Sequence, residues 1–205
     1  MDACYQEKTA QTQKKLTTSF YCRSDVVAIG KDLLGKFLFT QIDGALTGGM
    51  IIETESYGGV DDKACHAYKG RRTKRTDVMF WTGGVAYVYL CYGIHHLFNI
   101  VTHEQGTPHA VLIRAIQPTT GIDRILQRRK KLTLNNSTTT GPGTITQALG
   151  ITTHHSGKSL LGNTIWIEDR GVAVTPSQIT ASPRIGVDYA EEDALRPWRF
   201  QLLLS

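Results

Sequence analysis

The stretch Ile51-Ile52-Glu53-Thr54-Glu55-Ser56-Tyr57 decides the fold and marks its functional centre. Its β-branched and aromatic residues predict a strand, and two alternate positions carry carboxylates. Because successive side chains of a strand point to opposite faces, Glu53, Glu55 and Tyr57 are expected to share one face. Ile51 belongs to the same set, and the opposite set is Met50, Ile52, Thr54 and Ser56. We interpret residues 51–99, which add further tyrosines and a Lys/Arg cluster, as the functional centre.

The composition predicts one globular domain with a basic surface. The chain has 205 residues, of which 40% are hydrophobic, so it can bury a sizeable core. Its net charge of +5 favours an anionic partner such as nucleic acid, while a basic surface without such a partner stays an open alternative. No C-x-x-C pair occurs, which indicates free thiols in a reducing compartment; the cysteines are Cys4, Cys22, Cys65 and Cys91.

The N-terminal segment is expected to differ from the rest of the chain. Residues 1–18 are polar and predict a flexible tail, and residues 19–205 predict a single domain. The tail has no apolar core of a signal peptide, and no apolar run reaches the ~20 residues of a membrane span. We therefore expect a soluble intracellular protein that does not enter a membrane.

The remaining pattern predicts an α+β fold with a curved, mostly antiparallel sheet, flanking helices and a protruding β-hairpin. Ser24 is the expected N-cap of a first helix, and Asp43-Gly44 the turn of a first hairpin. Residues 58–84 are loop-rich. The predicted helices are Asp25–Leu34, Ile122–Leu132 and Thr144–Leu149. The predicted strands are 36–42, 47–57, 85–92, 94–101, 110–116, 166–168, 172–174 and 198–204.

The paired carboxylates and the tyrosines are the first candidates for chemistry. Glu53 and Glu55, about 6–7 Å apart along a strand, could perform acid/base work on a glycosidic bond or could pair with arginines. Tyrosines 57, 87 and 89 are either ordinary strand residues or platforms on which nucleobases stack. Tyr92 lies beside Gly93 at the predicted hairpin tip, where an exposed ring could enter a duplex and replace an expelled base.

The basic loop and the histidines are the remaining candidates. Five of the seven residues 69–75 are Lys or Arg, which indicates either a solvated face or a grip on DNA phosphates; the candidate contacts are Arg71, Arg72, Lys74 and Arg75. His95-His96 and His154-His155 are adjacent pairs, and on a strand the two members of such a pair would point to opposite faces. Since no H-E-x-x-H motif occurs either, no metal site is expected. His66 by itself is an isolated loop histidine.

Together these pieces resemble the alkyladenine-type 3-methyladenine DNA glycosylase family, also called methylpurine-DNA glycosylases. The resemblance covers residues 19–205, and the order and spacing of its pieces make it specific. The matching pieces are Glu53-Thr54-Glu55-Ser56-Tyr57, Asp62-Lys63-Ala64-Cys65-His66, Met79-Phe80, Tyr87 to Gly93 with Asn99, Val111 to Ala115, Gly141-Pro142-Gly143 with Gln147-Ala148-Leu149, Arg184 to Val187 and Pro197 to Phe200.

The resemblance implies a monofunctional base-excision repair enzyme that needs no cofactor. It would flip alkylated or deaminated purines out of double-stranded DNA and hydrolyse the N-glycosidic bond, as a monomer located with the DNA: in the cytoplasm or nucleoid of a bacterium, or in the nucleus of a eukaryote. Candidate substrates are 3-methyladenine, 7-methylguanine, hypoxanthine and ethenoadenine.

The resemblance also assigns roles to residues. Glu55 matches the general base for water, and Arg114 an arginine near that water. Tyr57, His66 and Tyr89 match the wall of the base pocket, Asn99 the residue that bars the exocyclic amine of guanine, and Tyr92 the intercalating tip. Thr144 departs from the family, which usually has a lysine there that contacts the DNA backbone.

Elementary chemistry agrees with these roles. Alkylation at N3 or N7 gives a purine a positive charge, so it leaves readily and is attracted to tyrosine faces. A free glutamate has a pKa of about 4.3, so Glu55 is expected to be ionised and able to activate water. Two alternatives stay open: an O-glycoside hydrolase that uses Glu53 and Glu55, and a nucleic-acid-binding module without catalysis.

Overall fold

The computed structural model describes residues 14–204 as one α+β unit. Its strands are β1 (Lys14–Lys15), β2 (Phe37–Ile42), β3 (Ala45–Tyr57), β4 (Ala86–Cys91), β5 (His95–Thr102), β6 (His109–Thr120), β7 (Ile165–Asp169), β8 (Ile179–Ser182) and β9 (Arg199–Leu202). Its α-helices are α1 (Thr18–Tyr21), α2 (Val26–Asp32), α3 (Ile122–Arg129) and α4 (Pro142–Leu149).

All the strands belong to one antiparallel sheet that curls into a half-barrel. The order is β1-β7-β2-β3-β6-β5-β4, and β9 pairs with both β3 and β8. β3 pairs with β6 over most of its length, with β2 along its first half and with β9 at Glu53–Glu55. The predicted α+β fold with an antiparallel sheet is confirmed, and β3 lies at its centre.

The turn of the first hairpin is set by two residues with positive φ. Asp43 has φ 52° and Gly44 has φ 70°. A two-residue turn with both central residues in the left-handed region matches the right-handed twist of the strands, which is why Asp-Gly favours it. The turn brings Ile42 opposite Ala45 and fixes the register of β3.

The two faces of the sheet bury different clusters. One face packs on α2 and α4 through aliphatic residues such as Ile29, Ile113 and Leu149. The other face, covered by the turn-rich residues 58–84, carries a smaller cluster that includes Met79, Phe80, Tyr87 and Val101. Alternation along β4 to β6 therefore divides each strand between the main core and the opposite face.

A β-bulge in β3 corrects the predicted alternation at one residue. The register shifts between Ile51 and Glu53, so Ile52 is an extra residue. Ile51 is fully buried in the main core, on the same side as Thr54 and Ser56, whose hydroxyls donate to carbonyls of the α2 segment. The prediction that Ile51 shares the face of Glu53 and Glu55 is wrong, because a bulge reverses the alternation on one side of itself.

Several element boundaries also differ from the predictions. Asp25 and not Ser24 caps α2, because its carboxylate accepts from the backbone N–H groups of Val27 and Ala28, both at 2.9 Å. β6 continues through Pro118 to Thr120. Residues 172–174 form no strand, whereas β8 was not predicted.

Residues 14–18 of the predicted tail are ordered. Residues 1–13 lie outside the described residues, but β1 pairs with β7 and Leu16 is buried in the main core. For residues 14–18 the prediction is therefore corrected: one apolar side chain and one strand pairing suffice to anchor them. Cys22, Cys65 and Cys91 are free thiols, and Cys4 is not described. Within residues 14–204 no helix is long and apolar enough to cross a membrane.

Candidate active site

A cavity of about 470 Å³ opens on the face of the sheet opposite the main core. Such a volume lies in the range of pockets that enclose small ligands. The cavity is formed by the strands β3 to β6, the turns of residues 58–84, the first residue of α4 and the segment after β8. Its lining includes Tyr57, Cys65, His66, Met79, Tyr87, Tyr89, Tyr92, Asn99, Leu112, Arg114, Ile185 and Tyr189.

Glu55 lies beneath this cavity with no exposed surface. Its Oε2 accepts a hydrogen bond from the Tyr57 hydroxyl at 2.9 Å and faces Nη1 of Arg114 at 3.3 Å. Its Oε1 accepts from the backbone N–H of Ile185 at 2.8 Å. Because every partner is a donor, the surroundings suit an ionised carboxylate, which only accepts. Burial, with the nearby Glu55 charge, raises the pKa of Tyr57, so this hydroxyl stays a donor.

The aromatic wall consists of His66, Tyr87 and Tyr89. The two tyrosine rings stack with their centroids 5.5 Å apart, and the His66 ring meets the Tyr89 ring edge-on with a centroid separation of 4.6 Å. The Tyr87 hydroxyl lies 2.8 Å from Nδ1 of His66. Burial, together with the charges of Arg75 and Arg71, lowers the pKa of His66 to about 4. The imidazole is therefore neutral near pH 7, and the wall is uncharged.

Asn99 faces the cavity from β5. It is buried, and its Nδ2 donates to the carbonyl oxygen of Tyr87 at 3.2 Å. That bond ties the amide to the neighbouring strand, where Asn99 is paired with Tyr87. The side chain therefore presents a fixed polar group to whatever enters between the tyrosines.

Tyr92 occupies the tip of the hairpin between β4 and β5. Its side chain is 91% exposed, and its φ of 50° is one that few residues other than glycine adopt. The turn Tyr92-Gly93-Ile94 closes on the pair Cys91 and His95. The exposed ring at the hairpin tip borders the cavity, and this tip position is the one that the sequence predicted.

The basic loop lies beside the cavity, and its residues differ in their pairing. All four predicted cations, Arg71, Arg72, Lys74 and Arg75, are exposed. Arg72 pairs with Asp77 at 2.8 Å. Arg71 and Arg75 instead border a second cavity of about 310 Å³ that shares Cys65, His66 and Tyr189 with the first. Positive charge is thus placed next to the aromatic wall.

Comparison with known proteins identifies the family. The family model described as methylpurine-DNA glycosylase (MPG) matches residues 19–203. The chain belongs to the methylpurine-DNA glycosylase family. It is therefore a DNA glycosylase, a hydrolase of N-glycosyl compounds, and DNA is its substrate. This excludes both the O-glycoside hydrolase and the binding module without catalysis.

Curated relatives agree with the family model. A protein of Chlamydia felis (strain Fe/C-56) named "Putative 3-methyladenine DNA glycosylase" is 50% identical over 188 residues, which cover 91% of this chain and 95% of the relative. A Bacillus cereus (strain ZK / E33L) protein of the same name is 47% identical over 190 residues, covering 89% and 92%. The chain is similar to these proteins over nearly their whole length.

This methylpurine-DNA glycosylase contains a buried ion pair for which the sequence predicted no role. Neither Arg184 nor Asp62 has exposed side-chain surface. Nη1 of Arg184 donates to Oδ2 of Asp62 at 2.5 Å, and Nη2 donates to Oδ1 at 2.8 Å. Asp62 also accepts from the backbone N–H groups of Gly58 and Ala64. The pair joins the loop after β3 to the segment that carries Ile185, the donor to Glu55. Only the family resemblance pointed to Arg184, because its partner lies 122 residues away.

Two further residues line the cavity. Tyr87, which the sequence left open between a strand residue and a stacking platform, lies two residues before Tyr89 on the same face of β4 and belongs to the wall. Tyr189 borders both cavities, and its hydroxyl donates to the carbonyl of Ala64 at 3.2 Å. It lies in the 3₁₀ segment Asp188–Leu195, and no local pattern indicated a site there.

Thr144 lies in the first turn of α4, where a lysine was expected from the family. Its hydroxyl donates to the carbonyls of Thr140 at 2.6 Å and Gly141 at 2.7 Å. The side chain is thus turned onto its own helix terminus. Within the described part of the chain, no group of three or more His, Cys, Asp or Glu residues could hold a metal ion.

Proposed function

We propose that this DNA glycosylase removes alkylated and deaminated purines from double-stranded DNA by flipping the nucleotide into the 470 Å³ cavity and hydrolysing its N-glycosidic bond. The observation that carries the proposal is the position of Glu55, a buried carboxylate held by donors beneath an aromatic cavity. The names of the relatives make 3-methyladenine the first substrate to test. 7-Methylguanine, hypoxanthine and ethenoadenine are further candidates.

Tyr92 supports the flipping step. A duplex that loses a base from its stack pays a few kcal/mol, and an aromatic ring in the vacated space offsets part of this cost. The exposed tip places such a ring at the edge of the cavity. The cations Arg71, Lys74 and Arg75 are available to phosphates of the same duplex, whereas Arg72 is engaged by Asp77.

The aromatic wall supports selection of the damaged base. Tyr57, Tyr87 and Tyr89 present π surfaces, which attract a cationic alkylpurine more than a neutral base. A neutral His66 adds no repulsive charge to this wall. The bond that fixes the Asn99 amide against the Tyr87 carbonyl supports its proposed role, which is to bar the exocyclic amine of guanine.

Glu55 supplies the base for hydrolysis. In the proposed step the carboxylate takes a proton from water, the oxygen attacks C1′ of the sugar, and the bond electrons pass to the departing purine. A purine alkylated at N3 or N7 then leaves as a neutral molecule without an added proton. None of the described residues that line the cavity is a lysine, so we expect no covalent imine with the sugar and no strand cleavage.

The proposed site is formed within one chain. The cavity, its base and its wedge come from β3 to β6, the turns of 58–84 and the segment after β8. A monomer is therefore sufficient for the reaction. We expect the protein to act where the DNA is, in the cytoplasm or nucleoid of a bacterium or in the nucleus of a eukaryote.

Methylated duplex DNA tests the proposal. The purified protein should release free 3-methyladenine and leave abasic sites, which are detected by chromatography and by alkaline cleavage. Undamaged DNA of the same sequence should give neither product. Binding of the methylated duplex without base release contradicts the proposal, and so does release of undamaged adenine at the same rate.

A further inference from the structure

Glu53 is the second carboxylate of β3, and it has no surface in the catalytic cavity. It is buried, and its Oε1 accepts from Nε of Arg114 at 3.0 Å and from Nε of Arg199 at 2.6 Å. These arginines reach it from β6 and β9, the two strands that flank the second half of β3. Glu53 therefore joins the three central strands at the level of the active site.

Arg114 is the connection between Glu53 and Glu55. Arg114 lies at an irregularity of β6. Glu53 pairs with Ala115 and Thr54 pairs with Ile113, so the register passes over Arg114. Its Nε binds Glu53 and its Nη1 faces Glu55 at 3.3 Å. The side chain also lines the cavity. A guanidinium is planar, so fixing Nε fixes the direction of both terminal nitrogens.

The charges of the cluster balance. Two carboxylates, Glu53 and Glu55, lie against two guanidinium groups, Arg114 and Arg199. Buried charges interact strongly because the interior screens them weakly. Removing Glu53 would leave an excess positive charge next to Glu55, and removing Arg199 would leave an excess negative charge.

We propose that Glu53 is a positioning residue that holds Arg114 against Glu55 and the attacking water and keeps the charge around Glu55 balanced. This rests on the proposed role of Glu55 as the base. Glu53 is buried and does not line the cavity, so it acts through Arg114. The arrangement explains why β3 carries two carboxylates on one face while only one of them lies beneath the cavity.

The charged and titratable groups that face Glu55 come from several elements. Glu53 and Tyr57 share β3 with it, Arg114 contacts it from β6, and Tyr89 lies near it on β4. Arg199 of β9 belongs to the same cluster through its contact with Glu53. Arg184, in the segment after β8, acts on it at longer range and is itself paired with Asp62. Glu53 and Arg199 are the members whose removal changes the charge without removing a direct contact of Glu55.

Three variants test the proposal through the pH dependence of single-turnover base release. Glu53→Gln should slow release by roughly 10- to 100-fold through misplacement of Arg114. It should also move the acid limb of the rate profile to lower pH, because the uncompensated positive charge of the cluster favours an ionised carboxylate at the site. Arg199→Gln should move the limb to higher pH. Glu53→Asp keeps the charge, so it should slow release without moving the limb.

The double variant and a matched control complete the test. Glu53→Gln combined with Arg199→Gln restores neutrality, so its acid limb should return toward that of the unaltered enzyme even where the rate stays low. The control is Glu168→Gln, which removes a carboxylate from a different ion pair, that of Glu168 in β7 with Arg170 just after it. This variant should change neither the rate of base release nor its pH profile. Affinity for abasic-site DNA and the unfolding midpoint of each variant show whether its fold is retained.

Two outcomes overturn the proposal. One is an unchanged rate and profile in Glu53→Gln. The other is a shift in the same direction for Glu53→Gln and Arg199→Gln, which would mark a structural role only. If Glu53→Gln does not fold, the proposal is overturned when Arg199→Gln leaves the acid limb in place or moves it to lower pH, or when Glu53→Asp releases the base at the unaltered rate. Absence of base release by the unaltered enzyme would instead contradict the proposed function.

Discussion

Asp62→Asn is expected to destabilise the fold strongly, because it breaks a buried ion pair. Asp62 and Arg184 have no exposed side-chain surface, and two hydrogen bonds join them. Arg184 also donates to the carbonyls of Ser56 at 2.9 Å and Asp193 at 3.0 Å. The substitution keeps the shape of the side chain but leaves the guanidinium buried without a counter-charge.

The expected loss follows from the burial of that charge. Breaking a buried ion pair by removing one partner costs about 3–5 kcal/mol, out of a total stability of roughly 5–15 kcal/mol. For a chain of this size the melting temperature should fall by roughly 6–20 °C. Base release should slow as well, because Arg184 precedes Ile185, whose N–H holds Glu55 at 2.8 Å.

Chemical denaturation followed by tryptophan fluorescence measures the loss. Asp77→Asn is the matched control, since it breaks the exposed pair of Arg72 and Asp77, and it should leave the midpoint unchanged. Arg184→Met should lose as much as Asp62→Asn, and the double variant should lose clearly less than the sum. A loss below about 1 kcal/mol in Asp62→Asn, or strict additivity, would refute the reasoning.

Three further predictions concern the wedge, the wall and the basic loop. Tyr92→Ala should slow release of a paired lesion roughly tenfold or more and leave an unpaired lesion nearly unaffected; equal slowing of both in single-turnover assays contradicts the wedge. Burial holds the pKa of His66 at about 4 against a usual 6.5. The unfolded chain therefore binds a proton at this histidine more readily than the folded one, and the free energy of unfolding should fall as the pH drops from 6.5 toward 4, by up to about 3 kcal/mol. Chemical denaturation of His66→Gln over the same pH range should lack this decrease. Arg75→Ala should reduce the number of counterions released on DNA binding, read from the slope of log K against log salt concentration, by about one. Arg72→Ala should reduce it by less, because Asp77 already pairs with Arg72.

The sequence predicted those parts of the site that depend on local periodicity. Glu55 and Tyr57 share a face because they are two residues apart on a strand, and their hydrogen bond confirms it. Tyr92 reached the hairpin tip because Gly93 permits the turn. The Asp43-Gly44 turn is likewise a property of two adjacent residues.

The parts that escaped prediction depend on contacts between distant segments. The bulge at Ile52 arises from pairing with β6, so nothing within β3 indicates it. Arg184 finds Asp62 across 122 residues, and Glu53 finds Arg199 across 146. Such pairs follow from the closed fold and not from any spacing in the chain. Glu53 and Glu55 look equivalent in the sequence, and only their neighbours distinguish them.

Single-turnover base release by Glu55→Gln tests the central claim most directly. The variant keeps the shape of the side chain but removes the basic carboxylate. It should therefore bind a duplex containing 3-methyladenine with unchanged affinity. Release should fall by roughly 10²- to 10⁴-fold, the usual contribution of a general base. Loss of binding together with activity would indicate a collapsed site, which the unfolding midpoint reveals. Release at the rate of the unaltered enzyme, with binding intact, would contradict the assignment of Glu55 as the base.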